Sequence, residues 1–124
     1  MKWPDFFPDD CPDEDAQLTS GEVFRVIRRK KIIPNDFKPH RETQRHRDFN
    51  QPECIVCGLS VFRNLADIKH LRRRIPAMRK KLIAKGLLNH NLGKIKQTLR
   101  PNHYTWWVPV DTQPWEVFII VQEK

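Results

Sequence analysis

Residues 63–100 carry twelve Lys or Arg side chains against one acid, Asp67, a net charge of +11 that exceeds the +8 of the whole chain. Like charges at that density repel. Whatever this segment folds into must therefore hold its basic groups at a surface, facing a polyanion or an acidic partner. The apolar residues within it predict a helix. Asn64 is a sound N-cap, with Asp67 at the third helical position as a short version of the capping box. Leu65, Ile68, Leu71, Ile75, Met78 and Leu82 then recur at steps of three and four, which puts them on one stripe. Pro76 lies inside the stripe and must kink the helix or restart it. Gly86 suits the C-terminal cap. On this reading Lys69, Arg73 and Lys80 project opposite the stripe, and Arg72, Arg74, Arg79, Lys81 and Lys85 flank it.

The remaining charge is just as uneven. Residues 1–22 hold seven acids and one base, a net of −6, so residues 23–124 carry +14. An acidic arm of this kind can screen a basic body, recruit a basic partner, or serve as a solvated lead-in to a helix. Pro4, Pro8 and Pro12 disfavour helix there. Trp3, Phe6 and Phe7 are too apolar for a free tail. We expect residues 1–20 to dock on a single domain formed by residues 21–124. At 124 residues the chain is long enough for a modest core. Its hydrophobic content is low at 39%, yet four Trp, seven Phe and the run Val117–Val121 argue against disorder. No apolar stretch reaches the roughly 18 residues of a membrane span. The N-terminus lacks a secretory pattern, and three cysteines fit a reducing compartment better than a disulfide framework. The expected address is cytoplasmic.

Glu22–Ile27 alternates as a first strand, with Val23, Arg25 and Ile27 on one face and Phe24 and Val26 on the other. A polar connector, Arg28–Gln51, follows, and connectors of that length are usually functional. Further strands are expected at Ile55–Phe62, Lys94–Leu99, Tyr104–Val110 and Trp115–Gln122, with Asp111–Pro114 as a hairpin turn between the last two. The order β, β, α, β, β, β predicts an α+β domain: a small antiparallel sheet packed against a kinked basic amphipathic helix or helix pair.

Four constellations could carry chemistry. The first joins the basic residues Lys69, Arg72, Arg73, Arg74, Arg79, Lys80, Lys81, Lys85, Lys94, Lys96 and Arg100 with the aromatic strand at Tyr104–Trp107. Basic groups neutralise phosphates, and an exposed face of that strand, Trp106 included, could stack on unpaired bases. The second is Cys54-x-x-Cys57-Gly58, which resembles one knuckle of a zinc ribbon. His40 and His46, with five residues between them, or Cys11 could complete a tetrahedral site.

The third is the ordered set Arg25, Ser60 and Glu116, each on an expected strand. Its order resembles that of one class of ADP-ribosyltransferase. That resemblance implies that Arg25 holds a dinucleotide's phosphates, Ser60 braces the nicotinamide pocket and Glu116 stabilises charge developing on the ribose. The family's Ser-Thr-Ser run appears here only as Leu59-Ser60-Val61. Pro114 stands where the family has a second Glu. An ordinary cross-strand ion pair between Arg25 and Glu116 is the alternative. The fourth is His103 ahead of a strand and after Lys94, Lys96 and Arg100. It suits the general acid or base of a small metal-free ribonuclease, with His90 and Tyr104 as helpers.

The reading that joins most of these residues is a small cytoplasmic protein that binds nucleic acid or another polyanion, with no membrane association. No cofactor is expected apart from zinc at the cysteine knuckle. Its size and style suit a bacterial regulatory or conflict and defence system. The alternatives are a nucleotide-acting enzyme, by ribosyl transfer or RNA cleavage, and an accessory subunit whose basic face docks on an acidic protein.

Overall fold

Pro76 stops the basic helix outright. In the computed structural model, which describes residues 1–123, α3 runs Leu65–Arg74 and Asn64 caps it, its side chain accepting the Asp67 N–H at 2.9 Å. Ile75, held extended at φ −108° and ψ 108° ahead of the proline, ends the helix, and Pro76–Met78 forms a separate short 3-10 turn. The stripe expected to continue through Leu82 does not. Leu82–Leu88 is a β-strand. The kinked basic helix is therefore replaced by one helix of three turns and a strand.

Ten elements are used below: β1 (Gln17–Leu18), β2 (Gly21–Ile27), α1 (His40–Thr43), α2 (Glu53–Val56), β3 (Leu59–Val61), α3 (Leu65–Arg74), β4 (Leu82–Leu88), β5 (Lys94–Gln97), β6 (Tyr104–Trp107) and β7 (Phe118–Ile120). The domain is α+β. It contains two antiparallel sheets, ordered β1-β5-β6-β3 and β2-β4-β7. β4 is the centre of the second sheet, paired with β2 from Gly21↔Leu88 to Ile27↔Leu82 and with β7 from Ala84↔Ile120 to Gly86↔Phe118. Gly86 is thus no helix cap. A Cβ at that position would sit 2.6 Å from the Phe118 ring.

Three further expectations shift. The strand foreseen over Ile55–Phe62 is a helical turn, α2, followed by the three residues of β3. β6 and β7 lie in different sheets, so Asp111–Pro114 is not a hairpin turn. The expected strand from Trp115 begins instead as a 3-10 turn, Pro114–Val117. Among the described residues no helix is long and apolar enough to cross a membrane.

The two sheets join at a single bridge, Phe24↔Phe62, with N–H···O distances of 2.8 and 3.0 Å. The main core draws on both sheets, with Val23, Ile27, Leu59, Val61, Trp106 and Phe118 at its heart. On the other face of β2, Phe24 packs with Phe62, Ile83 and the buried Ile68 of α3. Strand alternation explains the division: Val23 and Ile27 point one way, Phe24 and Val26 the other. Arg25 falls on the face that belongs to the core.

The N-terminal segment packs Trp3, Phe6 and Phe7 against Cys57 and Trp107, and adds β1 to the edge of β5. Cys11 is bonded to Cys54. A disulfide persists in oxidising surroundings, so the cysteines no longer argue for a reducing compartment.

Candidate functional site

The bridge between β2 and β3 is one residue long, and beyond it the two strands are joined by a side chain. The Arg25 guanidinium donates from Nη1 to the Ser60 carbonyl at 2.8 Å and from Nη2 to the Asp36 carbonyl at 3.0 Å. Its Nε is buried and bonds nothing among the described residues. Phe37 lies under the guanidinium, 5.9 Å from its centre. Burial pushes the Arg25 pKa down to about 10, an effect that the Asp36 carboxylate opposes. At neutral pH the group stays charged. Two carbonyl dipoles and a distant carboxylate are an incomplete partner set for a buried cation.

Arg25 forms part of the wall of a cavity of about 350 Å³. Ser60, His40, Asn35 and Asp36 belong to its polar lining, and Ile55, Phe62, Ile68, Leu71 and Met78 to its apolar lining. The His40 pKa is lowered by burial first, then by the positive charges of Arg25 and Arg47. Asp36 is the only acid on the lining, and its Oδ2 already accepts the Ile33 N–H at 2.9 Å. Ser60 has a second engagement. Its Oγ lies 2.9 Å from His103 Nε2, and His103 Nδ1 lies 3.2 Å from both the Thr98 carbonyl and its hydroxyl. Arg25, Ser60 and His103, which the sequence placed in two unrelated chemistries, therefore form one connected group. Glu116 does not join it. It is an exposed residue of the Pro114–Val117 turn, absent from the cavity lining, and it makes no ion pair with Arg25.

The rim of this cavity is strongly basic. Arg28 and Lys81 line its mouth. They flank the last rung of the β2–β4 ladder, Ile27↔Leu82, so the tract Arg28–Lys31 leaves the sheet where Arg79–Lys81 enters it. Two hydrogen bonds bring the end of α3 to the same place: Arg79 Nε donates to the Arg73 carbonyl at 3.1 Å, and Arg72 Nη1 to the Lys81 carbonyl at 3.0 Å. Arg28–Lys31, Arg73, Arg74 and Arg79–Lys81 make nine cations at one end of the sheet. Among the described residues none of the nine pairs with a carboxylate. The Arg28–Lys31 tract was not among the residues expected to bind. Its signal was a run of four cations immediately after a strand, in a connector read only as polar.

Other residues of the expected polyanion set lie elsewhere or are engaged. Arg72 is paired with Glu123, which raises the arginine pKa and lowers that of the carboxylate. Lys96 is held by Asp13 at 2.8 Å and Asp15 at 2.9 Å. Lys69 lies within α3, Lys85 in the middle of β4, Lys94 at the start of β5 and Arg100 in the turn after it. Trp106 and Trp107 are both 0% exposed, their indole N–H groups donating to the Leu92 and Cys54 carbonyls. Trp106 cannot stack on a base: both strand faces at β6 are covered.

The zinc constellation does not assemble. Cys54 is committed to Cys11, and Cys57 is a buried thiol whose pKa is pushed up to about 12 by burial and by Glu53. His40 stands at the cavity, and His46 at a separate open groove beside Phe6 and Arg47. Among the described residues no group of three His, Cys, Asp or Glu side chains is placed to hold a metal ion.

No protein-family model, curated protein or solved structure matches the chain.

Proposed function

We propose that this protein binds a polyanion, nucleic acid in the first instance, through the nine-cation rim at the open end of the β2–β4 ladder. The observation that carries the reading is the convergence of two basic tracts, Arg28–Lys31 and Arg79–Lys81, with no carboxylate partner for either among the described residues. Isolated surface lysines serve solubility, and natural surfaces intersperse charges of both signs. A cluster of one sign held by the ladder register and by the Arg79–Arg73 bond serves contact with charge of the other sign. Binding of this kind releases counterions and weakens steeply with salt. It needs no turnover, no metal and no exposed aromatic platform.

The test reverses charge where nothing else is disturbed. Arg29, Lys30, Arg74 and Lys80 are exposed, and their side chains make no hydrogen bond among the described residues. The quadruple Glu variant should keep the wild-type melting temperature. It should lose retention on heparin and flatten the dependence of log affinity on log salt for a single-stranded oligonucleotide by about three units, at ~0.7 per phosphate contact. Retention and salt slope equal to wild type would overturn the reading.

A further inference from the structure

The rim accounts for exposed charge, and it leaves the buried charge beneath it unexplained. Arg25 holds a cation on the core face of β2, with two donors fixed by carbonyls and, among the described residues, Nε bonded to nothing and no carboxylate in hydrogen-bond contact. Buried polar groups left unsatisfied in a folded protein call for an explanation. Arg25 also lines the cavity beside it. It falls within the roughly 300–1,000 Å³ of pockets that hold small organic ligands. Its polar side is net positive, with Arg25, Arg28 and Lys81 against Asp36 alone, and Asp36 is already engaged by Ile33 N–H. Its apolar lining includes Ile55, Leu71 and Met78. A ligand complementary to both sides is an anion attached to a flat or apolar body.

We propose that the cavity is a binding site for a single phosphorylated nucleotide, its phosphate drawn to Arg25 and the rim, its base laid against Ile55, Leu71 and Met78. Guanidinium is the protein group best matched to phosphate, and here its plane is already fixed by the Ser60 and Asp36 carbonyls. The inference rests on the polyanion reading for the nature of the ligand. It names the unit recognised: the terminal nucleotide of a strand whose backbone follows the rim.

The probes are adenosine 5′-monophosphate, adenosine and an unmodified single-stranded oligonucleotide, each titrated into the full chain. The monophosphate should bind and adenosine should bind at least about tenfold more weakly, the scale of one hydrogen bond to a charged group. Arg25→Met should remove that preference, by about ten- to a hundredfold for the monophosphate. Because Arg25 is half-buried and ties β2 to the Ser60 and Asp36 carbonyls, the variant's melting transition is measured first. If it fails to fold, the wild-type protein decides the matter through the His40 imidazole resonance. Burial first, and then Arg25 and Arg47, hold the His40 pKa down, and Asp36 is the acid on the same lining. Either ligand would bury His40 further, so a phosphate at Arg25 should leave the His40 titration higher in pH than adenosine does. Equal affinity for adenosine and its monophosphate, or a His40 titration no higher with saturating monophosphate than with saturating adenosine, would overturn the nucleotide site. Oligonucleotide binding retained in that case leaves the rim reading intact. Monophosphate binding without any oligonucleotide binding would overturn the rim and keep the cavity.

Discussion

His103 is 4% exposed and touches Thr98, Ser60 and, edge to face, the Phe62 ring. The Thr98 carbonyl can only accept, so Nδ1 carries a proton, and in the neutral imidazole Nε2 accepts from the Ser60 hydroxyl. Burial lowers the His103 pKa first, the Thr98 carbonyl opposes that shift, and Arg100 adds to it. The unfolded chain, titrating near the ordinary value of about 6.5, therefore binds a proton that the folded chain refuses. Stability from this residue is present above about pH 6.5 and is lost as pH falls through the lower folded pKa. His40, also lowered, acts in the same direction. Melting temperature should therefore drop between pH 7.5 and 5. His103→Gln should cost about 1–3 kcal/mol at pH 7.5 through its broken hydrogen bonds, and should flatten part of the acid limb. An acid limb identical to wild type would show that His103 is not held neutral. The sequence marked this histidine and Ser60 separately. Their contact spans 43 positions and depends on β3 pairing with β6, which residue spacing does not reveal.

Local signals fared unevenly at the level of elements, and the reason is physical. Asn64 caps α3 as expected because a cap is decided within four residues. The apolar stripe across Pro76 failed because steps of three and four fit a helix, yet Leu82, Ala84, Gly86 and Leu88 equally make one face of a strand. Tertiary pairing chose the strand: β4 sits between β2 and β7 and makes both ladders of its sheet. Gly86 shows the choice most directly. A helix cap needs glycine for its backbone, whereas here the Phe118 ring occupies the space of a side chain. Gly86→Ala tests this. A methyl 2.6 Å from a core ring must displace it, and overpacking of this kind costs about 1–3 kcal/mol in chemical denaturation. Gly86 has no positive φ, so the cost of alanine here is steric and not conformational. Stability equal to wild type would mean that Phe118 swings aside freely. Gly93 imposes a different limit: its φ of +124° is a conformation that side chains rarely adopt.

At the scale of the whole molecule, the acidic arm and the basic body were legible as opposites, and charge attraction was one reading of how they fit. The contacts rank the forces differently. Lys96 bridges Asp13 and Asp15, but these carboxylates are largely exposed, and exposed pairs contribute little and weaken with salt. The arm is held chiefly by Trp3, Phe6 and Phe7 on the buried Trp107, by a backbone bond from Val110 N–H to the Lys2 carbonyl at 2.9 Å, and by Cys11–Cys54. That disulfide closes a loop across 43 positions, for which chain entropy in the unfolded state corresponds to a stabilisation of roughly 4 kcal/mol. Salt and reductant should therefore act in opposite proportion. Molar sodium chloride should barely move the melting temperature, while dithiothreitol should lower stability by several kcal/mol, up to roughly that value. Deleting residues 1–15 should destabilise the domain further, because it also uncovers Trp107. The deletion frees Lys96 but none of the nine rim cations, so affinity for an oligonucleotide should not rise. A truncated protein that melts as the full chain does and binds more tightly at low salt would show that the arm is an electrostatic screen after all. A melt indifferent to reductant would show that the Cys11–Cys54 bond does not hold it.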